Sequence, residues 1–261
     1  MTWLRIFFFG GLLSYRALFN WLGPAIYIPT MLGKPLFQIM FFTYLGRFSA
    51  VADDTYFIAG NAVQASVVAS LFGMVMVLAN ERELGTLSAI LATPANRLAM
   101  FAGRAVAPIV NGLFIAAFGF GAASLLLGFR MPWSAIPALT VTVSITVTSC
   151  AMLGMLLGSV ALRVRDVWVG SNLAYGLMLL LCGVNVPLSV LPAWLAAAGR
   201  ALPLTHGVEA ARDVVAGASL TDVSALIGRE ALAGLVYGVA ACALLRLFEA
   251  ESRRRASLDL L

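Results

Sequence analysis

Few residues in this chain could carry covalent chemistry, and their neighbours decide which kind. His206 is the only histidine. It stands in Leu204-Thr205-His206-Gly207 with Glu209 and Asp213 close behind, so a serine could complete a histidine-acid arrangement. The Gly-x-Ser-x-Gly elbow that would expose such a serine is missing, and His206 reads as an interfacial polar residue. Lys34 is the only lysine. A phosphate-binding loop needs its lysine followed by Ser or Thr, so that the ammonium reaches the terminal phosphates. Here Pro35 follows, and no ATP site is expected in this chain. An ion-driven carrier keeps acidic groups inside the membrane, where such costly groups persist for a purpose. None of the twelve Asp and Glu residues falls at the centre of an apolar run. Glu230, beside Arg229, comes nearest, which weakens secondary transport. Cys150, Cys182 and Cys242 lie in apolar runs without Cys-x-x-Cys spacing, so they read as packing residues and no metal site is expected.

What remains is a stretch suited to contact. Asn80 to Leu98 is a polar interruption, charged at both ends, between two long apolar runs. Asn80 can cap the amides that follow, with Glu83 three residues on, close to a capping box. Thr86 after Gly85 offers a second cap, and Pro94 stops the helix. The stretch predicts a short helix on the cytoplasmic surface, placed to be pushed by a partner; the plainer alternative is a polar loop between spans.

The elements that must position these residues follow from composition. With 61% hydrophobic and 11% charged residues among 261, the chain lies far from the globular mix of about half apolar and about a quarter charged. Its apolar runs meet the requirement of about 20 residues per bilayer-spanning helix. Helices are favoured because hydrocarbon offers the backbone no other partner. The expected fold is all-α and polytopic, with six transmembrane helices.

Residues 1–22, rich in aromatics, carry Arg5 and Arg16 on nearly one helical face. They predict an interfacial helix with Trp3 and Trp21 at headgroup level. No small-x-small cleavage pattern follows, so this segment reads as retained. The spans are placed at 24–46, 56–79, 100–127, 135–162, 168–186 and 223–248. Gly60, Ala62, Ala65, Ser66, Ala69, Ser70 and Gly73 give the second a small-residue face for close packing. Thr140 to Ser149 alternate like a strand, but the length of the run favours a helix whose hydroxyls bond its own carbonyls. Residues 187–217 are cut by Pro192, Gly199, Pro203 and Gly207 into pieces too short to span, predicting two short helices in a re-entrant or interfacial hairpin. Residues 249–261 form a tail.

Six spans put both termini on one side. If that side is cytoplasmic, eleven arginines lie inside (5, 16, 82, 97, 104, 163, 165, 246, 253, 254, 255) against five outside (47, 130, 200, 212, 229). Lys34 is too deep to assign. The count satisfies the positive-inside tendency. Orientation therefore accounts for the formal charge of +5, and no nucleic acid is needed.

The run Asn80-Glu81-Arg82-Glu83-Leu84-Gly85-Thr86-Leu87, with Leu91, Thr93 and Pro94, resembles the coupling segment of type-2 ABC transporter permeases. Arg163-x-Arg165-Asp166 is similar to the family's turn between spans four and five. Val186-Pro187, Leu191-Pro192-x-Trp194-Leu195, Leu202-Pro203-Leu204-Thr205-His206 and Glu209-Ala210-Ala211-Arg212 resemble its outer hairpin. With the interfacial N-terminal helix, the likeness covers nearly the whole chain.

The resemblance implies an exporter of two permease subunits, as a homodimer, and two separate ABC ATPase subunits that hold ATP and Mg, in a bacterial cytoplasmic membrane. It implies that Glu81, Glu83, Gly85, Thr86, Leu87 and Pro94 form the coupling helix between spans two and three. The hairpin, with Pro187, Leu191, Pro192, Trp194, Pro203, Thr205, His206, Glu209 and Arg212, would close the outer end of the pathway. That pathway would lie at the dimer interface, lined from spans one, two and five, with Phe37, Phe41, Tyr44, Phe72 and Asn185 as candidates. Small-residue spans and scarce intramembrane charge favour an amphipathic or hydrophobic cargo, a drug or lipid-like molecule, over a polysaccharide or lipo-oligosaccharide.

Overall fold

The computed structural model describes residues 28–49, 52–83, 97–161 and 167–255. Among them every regular element is helical. A π-helical turn, Ile28–Gly33, leads into α1 (Lys34–Ser49). α2 (Asp54–Val67) continues through a second π turn, Val68–Phe72, into α3 (Gly73–Glu83). Then come α4 (Arg97–Leu127), α5 (Ala135–Ala161) and α6 (Val167–Leu181). Two short helices, α7 (Ala193–Ala201) and α8 (Thr205–Val215), precede α9 (Ser224–Arg255).

Four stretches are long and apolar enough to cross a membrane: Asp54–Asn80, Gly103–Leu127, Ala135–Val160 and Ser224–Phe248. The other two expected spans are shorter as described. α1 begins only at Lys34, after a turn that holds Pro29 and Gly33, and runs past the expected end to Ser49. α6 stops at Leu181, where Gly183 takes a left-handed φ of 72° and turns the chain, a conformation glycine adopts without steric penalty.

The α2–α3 rod is the most deeply buried of the four spans. Its small residues let neighbours approach to backbone distance. A Cβ on Gly154 of α5 would run into the Leu71 carbonyl, and one on Gly112 of α4 would crowd the Ser66 carbonyl. α1 lies along α2 and α4, while α9 lies along α5. The tight α1–α2 turn is closed by the Arg47 guanidinium, whose Nε donates to both Asp54 carboxylate oxygens at 3.0 and 2.9 Å.

The hydroxyl-rich run of α5 is helical throughout. Thr140, Thr142, Ser144, Thr146 and Thr148 each donate to the carbonyl four residues back, at 2.6–2.9 Å. Hydroxyls that satisfy themselves in this way let a polar-looking sequence sit in an apolar bundle.

Candidate functional site

The coupling segment falls mostly outside the described residues, which is where Gly85, Thr86, Leu87 and Pro94 lie. Its first part differs from expectation. Asn80 does not open a new helix: α3 carries on through it to Glu83, so Glu81 and Glu83 occupy the last turn of the second span. Good helix formers follow Asn80, and the rod has no reason to end where apolarity ends.

The hairpin is described in full. Pro187 precedes a single 3-10 turn, Leu188–Val190, and Pro192 precedes α7. Trp194 stands 72% exposed, whereas His206 is only 9% exposed. Pro203 and Thr205 are buried, Leu191 is half-buried and Glu209 faces outward. The Thr205 hydroxyl donates to the Gly199 carbonyl at 2.5 Å and ties α8 to α7. His206, buried rather than interfacial, has an Nδ1 without a hydrogen-bond partner, and no serine-acid set forms around it among the described residues.

Two side chains anchor α8 of the hairpin by long-range polar contacts. The first is Arg212 on α8. Its Nε donates to the Tyr56 carbonyl at 3.2 Å, Nη1 to Gly183 at 2.9 Å and Nη2 to Val184 at 2.8 Å. Its guanidinium stacks 3.5 Å from the Tyr56 ring centroid, and the Tyr56 hydroxyl also donates to Gly183, at 2.8 Å. The planar fork of arginine satisfies several acceptors at once and stacks on an aromatic face, which an ammonium cannot do. One side chain thus joins the hairpin to the start of α2 and the chain end of α6.

The second is Glu230 on α9, 1% exposed. Its carboxylate accepts from the Leu204 amide at 2.7 Å and from the Gly207 amide at 3.1 Å. These are the free donors at the start of α8, where negative charge is favoured. Leu204 has a φ of 94°, the one positive value outside glycine among the described residues. Such a conformation costs on the order of 1–3 kcal/mol, and the carboxylate cap offsets it. The Ser149 hydroxyl on α5 donates to the Glu230 carbonyl at 2.8 Å. The most deeply placed acid is therefore committed to holding a helix end.

The five pathway candidates lie on α1, at the second π turn and just beyond α6. Phe37, Phe41 and Tyr44 are 71%, 62% and 51% exposed along α1. Phe72, at the π turn, stacks on Trp168 at 6.3 Å and meets Tyr175 edge-on at 6.0 Å. Asn185 accepts from the Asn61 amide at 2.8 Å. Asn61 in turn accepts from Gln38 at 3.0 Å, and Gln38 accepts from the Tyr175 hydroxyl at 3.3 Å. α1, α2, α6 and the turn after α6 are thereby joined by one polar chain.

The sequence reading did not single out Gln38, Asn61, Tyr175, Tyr56 or Glu230 for these roles. For the first two the signal was present, since Gln38, Asn61 and Gln64 are the only side-chain amides across the first two expected spans.

A bundle with four apolar helices of membrane-spanning length is a multi-pass membrane protein. The family model of the ABC-2 type transporter matches residues 9–215. The chain belongs to that family and is a permease subunit of an ABC transporter, a role that implies an ABC ATPase partner. No curated protein matches it.

Proposed function

We propose that this chain is the membrane-spanning half of an ATP-driven exporter that moves an amphipathic or hydrophobic molecule out of a bacterial cell. Two copies pair through the face of α1 and α6, and two separate ATPase subunits bind ATP and Mg. Closure of the ATPases is passed to the permease through Glu81, Glu83, Gly85, Thr86, Leu87 and Pro94. A driving ligand of this kind acts only by favouring one state over the other, so the permease needs an element with two arrangements.

The hairpin is that element in this reading. The observation that carries it is the Arg212 fork, which fastens α8 to Tyr56 and to Gly183 and Val184. These are the outer ends of the second and fifth spans in the proposed orientation, with both termini cytoplasmic. A gate built on one multi-acceptor side chain closes the pathway when the fork is seated and opens it when the spans move apart.

The test is the double substitution Glu83→Ala with Gly85→Trp, made in the full chain and purified with its ATPase. The protein is expected to insert normally while losing co-purification of the ATPase or its substrate-stimulated turnover. Unchanged coupling would overturn the assignment. Transport that persists without ATP and collapses with the proton gradient would favour an ion-driven carrier instead.

A further inference from the structure

Among the described residues no carboxylate pairs with Lys34, which lies at mid-span depth on the exposed face of α1. It shares a small cavity with Thr30, Ala65, Val68 and Ala69. Val68 lies about 20 Å of helix from either end of the Asp54–Asn80 span. A cation at that depth is expensive and marks a functional site whose partner has to be named.

The chain has none to give. There is no Asp or Glu before Asp53, none between Asp54 and Glu81, and none from Leu84 to Arg165 or from Val167 to Val208. Spans one to five therefore carry no acid within them, and a second copy of the same chain brings none either. Glu230, the exception in α9, is occupied by the Leu204 and Gly207 amides. What Lys34 does touch is aromatic: its Nζ lies 5.4 Å from the Tyr175 ring centroid.

The surroundings are made for a polar group with an apolar body. Lys34 is exposed and lies on the α1 face that bears Phe37 and Phe41. The Gln64 amide neighbours the Tyr175 hydroxyl, yet neither of its polar atoms makes a hydrogen bond of good geometry, although the residue is fully buried. Asn185 Nδ2 is buried and unpartnered too. Unmet hydrogen-bonding groups in a low-dielectric setting are costly unless something binds them. Both π turns also meet here, Thr30 from one and Val68 and Ala69 from the other; such turns gather at functional sites.

We infer that Lys34 is the anion receptor of a binding site between α1, α2 and α6 that takes an amphiphile bearing a phosphate-type headgroup. Asn185 Nδ2 donates to, and the Gln64 amide donates to or accepts from, the polar groups next to that anion, and the α1 aromatics lie along its chain. This sharpens the cargo proposed above, and it rests on the permease reading for the step from bound ligand to transported one. The same chemistry is offered by a bilayer phospholipid.

The experiment uses the full chain in phosphatidylcholine nanodiscs with a photoactivatable decyl phosphate. Labelling of α1 and α6 peptides is expected, displaced by plain decyl phosphate at about a tenth of the concentration needed for decyl maltoside, the factor expected of one charge-assisted contact. Lys34→Met is expected to weaken displacement by the phosphate about tenfold, with Lys34→Arg restoring it. Equal competition by the neutral maltoside overturns the inference, and this comparison needs only the wild-type chain if a variant fails to fold.

With the ATPase and ATP added, labelling is expected to fall as the probe reaches the opposite leaflet. Labelling that phosphatidylglycerol blocks and ATP does not move overturns the inference in favour of a fixed bilayer lipid. ATP hydrolysis is measured in the same discs: if it is missing altogether, the permease reading has failed, and the binding comparison still decides the role of Lys34.

Discussion

Arg212 and Glu230 anchor α8 of the hairpin, and each works by geometry as much as by charge. Glu230→Gln keeps the shape of the side chain but leaves one carbonyl oxygen to face the Leu204 and Gly207 amides that two oxygens now serve. A buried donor without a partner costs about 1–3 kcal/mol. The variant is expected to melt several degrees below wild type in detergent, with Glu230→Ala lower still; an unchanged melting temperature would show that the amides find another acceptor. Arg212→Lys tests the fork. It keeps a cation but cannot reach Tyr56, Gly183 and Val184 together or stack on the Tyr56 ring. A cysteine placed at Val208, fully buried on the same helix as Arg212, is expected to react faster with a soluble maleimide in that background, because α8 spends more time released. Neither set of partners is legible in the sequence, where Arg212 is an outer charge in the expected hairpin and Glu230 an acid near a span end.

Among the elements, the α2–α3 rod sets the tolerances for the rest. Its small-residue face is plain in the sequence from Gly60 to Gly73, but which glycines of other helices meet it is not. Gly154 faces the Leu71 backbone, whereas a Cβ added to Gly121 on α4 would meet nothing within 4 Å. Gly154→Ala is expected to cost about 1–3 kcal/mol through overpacking, seen as a lower melting temperature and a smaller monodisperse fraction. Gly121→Ala is the matched control and is expected to leave both unchanged. Helix type in α5 is legible because its unbroken run of apolar and hydroxyl residues exceeds a strand's usual length. The break after Leu181 is not, since Gly183 turns the chain inside an apolar run that continues to Val186.

At the scale of the molecule, the exposed ridge of α1 calls for a partner. Phe37, Phe41, Tyr44 and Phe48 repeat at helical spacing and are all more than half exposed. In the proposed homodimer this ridge faces its own copy. Tyr44→Cys in a chain freed of its other cysteines is therefore expected to give a disulfide-linked dimer on mild oxidation in membranes. Leu125→Cys, on an exposed face of α4, is expected to stay monomeric; the reverse pattern would move the dimer face across the bundle. Pairing along α1 would also set two Lys34 side chains on the shared face, doubling the charge that a ligand must meet.

By itself the sequence determined that the chain crosses a membrane several times, because span length and apolarity are sums over local windows that no distant residue can alter. It determined equally that the first five expected spans hold no acid to answer Lys34, since composition within a run is fixed whatever the packing. Only the tertiary structure decided which polar groups meet. Arg212 reaches Tyr56 across 156 residues and Glu230 reaches Leu204 across 26. Such pairings depend on how each helix is rotated and how closely its neighbours approach, and these are set by glycines and carbonyls on other helices rather than by anything in the run that carries the residue.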